Sequence, residues 1–169
     1  MIEEPDWSTH AITSAISPRF LELYASIMMQ QAVIEYELQI CIALLLKLDY
    51  ERVQILTAEL SYRQLVALVS SSMLKFNDSS SERFKEFRYA LAKLDEFEKL
   101  RNDLAHSIWM HSPDGIGKSG AKRMKTTSKR KAGLKVLEEE YSEEELEKQW
   151  KRGNFFIREL RKRVEATVS

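Results

Sequence analysis

From residue 19 to residue 112 the chain runs through 94 consecutive positions without a glycine or a proline. Sheet proteins reverse direction every ~8–12 residues and write those turns with Gly, Pro or Asn. The first two thirds of the chain therefore exclude an all-β or Rossmann-like fold, and an all-α fold is expected. All five glycines, Gly115, Gly117, Gly120, Gly133 and Gly153, fall after this stretch. At 169 residues, 44 % hydrophobic and 31 % charged, the chain suits a single domain spanning 1–169 with a core of reasonable size.

Caps place the helices, because a side-chain oxygen before the first turn satisfies backbone N–H groups that have no intrahelical acceptor. Ser17 with Pro18 opens a long helix to about Leu48, with Phe20, Tyr24, Ile27, Ile34, Leu38, Cys41 and Leu45 on one face. Leu21, Met28, Ala32 and Ile42 widen its apolar coat beyond what one core contact needs, which predicts a homodimer. Asp49 caps a short helix over about 50–59, and Ser61 with Gln64 forms a capping box for a helix through about Lys75. After the polar break Asn77–Ser81, Ser79 and Glu82 have capping-box spacing for a helix running into the Ala105–Trp109 region. On it Phe87, Leu94, Arg101 and Ile108 recur every seven residues, beside Ala90, Phe97 and Leu104.

Zero net charge conceals an asymmetry: residues 1–110 carry 11 Lys+Arg against 16 Asp+Glu, and residues 111–169 carry 15 against 10. The expected layout is an N-terminal arm over 1–17, a helical core over 18–110, a basic loop or small β-hairpin over 111–140, and a last helix over 142–165. Met124–Thr127 and Leu134–Leu137 are the candidate strands. Tyr141, Ser142, Glu145 and Leu146 supply a staple and capping box for the last helix, in which Gly153 is a weak spot. One cysteine, Cys41, excludes an intrachain disulfide and suits a reducing compartment. The acidic N-terminus lacks the regions of a signal peptide, and the apolar run Ile40–Leu46 is too short to span a bilayer. A cytoplasmic protein with no membrane association is expected.

Histidine titrates near neutrality, which directs attention to His10, His106 and His111. His10 sits in the arm and His111 beside Pro113, whereas His106 follows an arginine on an apolar stripe. A guanidinium there needs an acceptor for its five donors. Arg101 either pairs with Glu98 or a carboxylate of another helix, or lines a cleft where it meets a substrate phosphate. Asn102 and His106, four apart, share a helix face, while Arg101 and His106 are about 140° apart.

The string Arg101-Asn102-x-x-Ala105-His106 near the end of a long helix resembles the signature of the HEPN superfamily. The resemblance implies a HEPN-like helical bundle and a metal-independent endoribonuclease, a toxin or anti-phage defence effector, with two copies of the motif facing one cleft in a homodimer. It implies His106 as acid/base, Arg101 as the scissile-phosphate ligand and Asn102 as an orienting group. RNA supplies its own nucleophile, the 2′-OH, so proton transfer and electrostatic stabilisation suffice, and neither metal nor cofactor is needed. Some members pair with an antitoxin that modifies a tyrosine two residues after the histidine. Here that position is Ile108, so this route of control does not carry over, although a regulatory partner protein stays among the expected partners. The alternative is a catalytically inactive helical module that binds RNA or a partner protein.

Lys122, Arg123, Lys125, Lys129, Arg130 and Lys131, with Lys118 and Lys135, are candidate RNA-backbone ligands. The plainer alternative is a solvated segment whose charge offsets Glu138–Glu140. No aromatic residue lies between Trp109 and Tyr141, so base stacking is not expected there. Trp109, Trp150, Phe155 and Phe156 are assigned to the core.

Overall fold

A computed structural model describes residues 16–110, 120–129 and 133–168. The described residues form five helices and a three-stranded antiparallel sheet: α1 Pro18–Leu46, α2 Tyr50–Thr57, α3 Tyr62–Leu74, α4 Glu82–Ala105, β1 Ile108–Met110, β2 Gly120–Lys129, β3 Gly133–Ser142 and α5 Glu143–Val168. The molecule is predominantly helical. The sheet, in the order β1-β2-β3, contains the small hairpin that was one of the two expected forms of the segment before the last helix, and adds the short strand β1 at its edge.

Most helix starts follow the local chemistry of their caps. Ser17 accepts from the Phe20 N–H at 3.0 Å, Asp49 from Arg52 at 2.9 Å, and Gln64 Oε1 accepts from the Ser61 N–H at 2.8 Å. α1 ends at Lys47, whose left-handed φ of 54° releases its N–H to the Ala43 and Leu44 carbonyls. α4 differs from expectation at both ends. Its cap is Ser81, which accepts from Phe84 at 3.2 Å; Asp78 takes the Ser80 N–H at 2.7 Å and so folds Ser79 and Ser80 into the preceding turn. Its last helical residue is Ala105, and Ile108 belongs to a strand.

α1 is the central helix. α5 runs parallel to it, since Ser17 donates to Glu143, Gln30 Nε2 to the Trp150 carbonyl at 3.2 Å, and Arg161 pairs with Glu37 at 3.3 Å. α4 runs antiparallel to α5, with Arg152 on Glu96 at 3.0 Å, Tyr89 on Phe156 and Arg83 on the Ala166 carbonyl. α3 lies against α1 and α4 and places Tyr62 Oη 2.9 Å from Asp95. The core is filled by Phe20, Ile27, Ile34, Leu38, Leu45, Phe87, Leu94, Leu104 and Leu160 among others, each large side chain contributing ~1.5–3 kcal/mol by leaving water. Trp109, Trp150 and Phe156 join this core, but Phe155 is exposed.

Gly153 is a packing site rather than a weak spot. A Cβ there would stand 2.9 Å from Gln30 Nε2 and 2.9 Å from the Phe97 ring, both in the bundle interior. Gly153→Ala gains about 1 kcal/mol of helix propensity but forces α5 off α1 and α4, an overpacking cost of ~1–3 kcal/mol. A net fall in Tm is expected in thermal unfolding followed by circular dichroism, and a Tm equal to or above that of the parent would refute the close approach.

α1 has the length and apolarity of a membrane span, with 39 % of its most apolar window buried in the bundle. Leu21, Ala25, Met29, Ala32, Val33 and Tyr36 form an exposed apolar stripe within about 120° of its circumference. Of the residues expected on this second face, Leu21 and Ala32 are exposed, Met28 packs on the core and Ile42 is buried within it.

Candidate active site

Arg101, Asn102 and His106 stand at the C-terminal end of α4, the end of the bundle where α1 and α5 begin and the sheet is rooted. His106 is the first residue out of the helix (φ −103°, ψ 26°), its N–H still bonded to the Asn102 carbonyl at 3.1 Å and its side chain exposed. Two bonds shape this exit: Ser107 Oγ donates to the Asp103 carbonyl, and Trp109 Nε1 to the Leu104 carbonyl at 3.3 Å. Trp109 then packs edge-on against Phe20, Tyr24 and Tyr141, with centroids 5.3, 5.9 and 5.9 Å away. That aromatic seat draws residues 108–110 into β1 and moves Ile108 off the helical stripe into solvent.

Glu98 does not serve Arg101. It accepts from the Asn102 amide, one helical turn along the same face. Arg101 is half-buried on the core-facing side of α4, forms no ion pair among the described residues, and keeps its buried Nε without a hydrogen-bond partner there. Asn102 and Asp103 open onto an open groove of about 460 Å³ between α3 and α4, lined also by Tyr62, Arg63, Val66, Asp95, Glu98 and Lys99. Burial, then the neighbouring Asp95 carboxylate, hold the Tyr62 hydroxyl well above the usual phenol range. Among the described residues no cluster of His, Cys, Asp and Glu is arranged to hold a metal ion.

The basic segment divides. Strand register places Trp109, Arg123 and Glu139 in one row across the sheet, and Ala121 and Tyr141 on the same face. That face meets the bundle. Arg123 is only 3 % exposed, donates through Nη2 to Glu139 Oε2 at 2.6 Å, lies 3.7 Å from Asp103 Oδ1, and sits over the Tyr141 ring at 5.6 Å. Of the residues expected to be RNA ligands, Arg123 thus has its guanidinium enclosed beneath the sheet rather than exposed on its surface. Lys122 lies opposite Glu140 in the register, whereas Lys125 and Lys129 lie opposite Leu137 and Gly133, so the acidic strand matches the root of the hairpin and not its distal half. Lys118, Arg130 and Lys131, with His10 and His111, lie outside the described residues.

No sequence signal foretold the burial of Gln30 and Gln31 on α1, where Gln31 Nε2 donates to Glu35 at 3.0 Å. Compared with protein-family models, curated proteins and solved structures, the chain matches none.

Proposed function

We propose that the protein is a HEPN-type, metal-independent endoribonuclease that acts as a homodimer, with a toxin or defence role as the biological setting the resemblance implies. The observation that carries this reading is Arg101. A half-buried guanidinium with no ion pair among the described residues and an unsatisfied Nε is costly to maintain, and it stands one residue from Asn102 and five from an exposed histidine. A phosphate arriving beside it would supply the missing acceptor. His106 would move protons between the 2′-OH and the leaving 5′ oxygen, Arg101 would stabilise the charge that develops on the phosphoryl oxygens, and Asn102 would orient the pair. The exposed stripe on α1 supports a second copy as partner, since an isologous contact needs one self-complementary face.

A second reading, a catalytically silent interaction module, draws on the groove beside Asn102, where Asp95, Glu98 and Asp103 outnumber Arg63 and Lys99 and where Glu98 already holds the Asn102 amide. Purified protein incubated with single-stranded RNA in EDTA separates the two. Cleavage leaving a 2′,3′-cyclic phosphate and a 5′-OH is expected, from a sample that light scattering shows to be dimeric. Intact RNA under these conditions would favour the silent module.

A further inference from the structure

We infer that Arg123 is a positioning residue for the Arg101/Asn102/His106 site, a role that rests on the reading of that site as an RNA-cleaving centre. Asp103 lies within the motif, between Asn102 and His106. Its carbonyl takes the Ser107 hydroxyl and its carboxylate faces the Arg123 guanidinium at 3.7 Å. On the other side Glu139 takes Nη2 at 2.6 Å and also accepts from the Tyr141 hydroxyl at 3.1 Å. One buried cation thus joins the end of α4 to the two long strands of the hairpin.

An apolar residue at position 123 would also fill the space beneath the sheet, but it would do so in more than one register. Arginine specifies one. A slip of β2 by a single residue would turn residue 123 to the outer face and leave Asp103 and Glu139 without their shared cation. Because Trp109 pairs with Arg123 across β1 and β2, the same register fixes where β1 begins, two residues beyond His106. The hairpin therefore holds the exit from α4, which the Trp109 seat initiates, in one register and so fixes where the imidazole stands. Arg123 reaches no substrate in this arrangement and acts through Asp103.

The test compares the full-length protein with Arg123→Met, Arg123→Lys and Glu139→Gln. Asp103 and Glu139 retain side-chain exposures of 26 % and 49 %, so water can solvate them when the cation is removed and the Met variant is expected to fold. For Arg123→Met, kcat for RNA cleavage should fall by about a hundredfold with KM little changed, since small displacements of a catalytic group have effects of that size. Arg123→Lys should recover part of the loss. Without RNA, amide exchange over residues 104–110 should accelerate by about tenfold while α1 and α3 keep the parent rates. A rise in KM at unchanged kcat would show Arg123 to be an RNA ligand and overturn the inference, as would parent-like kcat and exchange. If the parent protein cleaves no RNA, the reading of the site fails separately, and exchange alone decides: local acceleration supports the tether, and none overturns it. If Arg123→Met accelerates exchange everywhere, Glu139→Gln decides by the same criterion.

Discussion

Replacing His106 with alanine is expected to lower RNA cleavage by ~10²–10⁴-fold, the usual contribution of a positioned general acid–base, and to leave the helical circular dichroism unchanged. The side chain is exposed at the helix exit, and the fold-defining contacts there are made by its own backbone N–H, by Ser107 and by Trp109. Parent-level activity in His106→Ala would remove histidine from the mechanism. Arg101 sharpens the comparison. A guanidinium held for the fold would be missed on removal, whereas one kept half-buried for a ligand, with no ion pair among the described residues, is expected to be replaceable by methionine with the Tm unchanged or raised, because an unsatisfied polar atom leaves the interior. Arg101→Met should lose ~10²–10³-fold in cleavage at the same time, the scale on which single charge-stabilising donors act. A large fall in Tm would mark Arg101 as structural and weaken the catalytic assignment.

The helical scaffold was legible because its determinants are local. Ser17-Pro18, Asp49 and Ser61 with Gln64 each announce a helix within four residues of sequence, and the core stripe of α4 follows from spacing alone. The shift from Ser79 to Ser81 shows the limit of such reasoning: three consecutive serines can all cap, and the choice falls to Asp78, which claims Ser80 for a turn. β1 was not legible, because Ile108 continues the seven-residue stripe and nothing nearby breaks the helix. What ends it is the seat for Trp109 formed by Phe20, Tyr24 and Tyr141, residues distant in sequence. The enclosure of Arg123 was not legible for the same reason. Its neighbours in sequence are cationic, and only the alternation of a three-stranded register turns it toward Asp103 and Glu139. The candidate site itself was readable as a string, but the occupation of Glu98 by Asn102 rather than Arg101 depended on which of two helical neighbours one turn away the carboxylate reaches.

Stability is expected to fall steeply above about pH 9, with Cys41 as a principal cause. Burial, reinforced by the nearby Glu37 carboxylate, pushes its thiol from an ordinary 9.0 up to about 12 in the folded protein. The unfolded chain releases that proton near pH 9 while the folded chain retains it, so over this window the native state binds more protons and ΔG of unfolding decreases as pH rises. A thiol held up to about 12 corresponds to a loss of about 4 kcal/mol by pH 12, a large part of the stability of an ordinary domain. Tyr62 acts in the same direction from its ordinary 10.0 upward, because burial and the Asp95 carboxylate hold its proton on. Below pH 9 neither group contributes to the slope. Urea unfolding at pH 8, 9.5 and 11 should show the loss. Cys41→Ala should start from a lower baseline, since a buried sulfur atom is removed from between packed helices, but should lose less with pH than the parent. Equal slopes in the two proteins would mean that the folded thiol ionises as readily as the unfolded one. The interior around α1 would then have to be wetter than the near-complete burial of Leu38, Cys41, Ile42 and Leu45 allows.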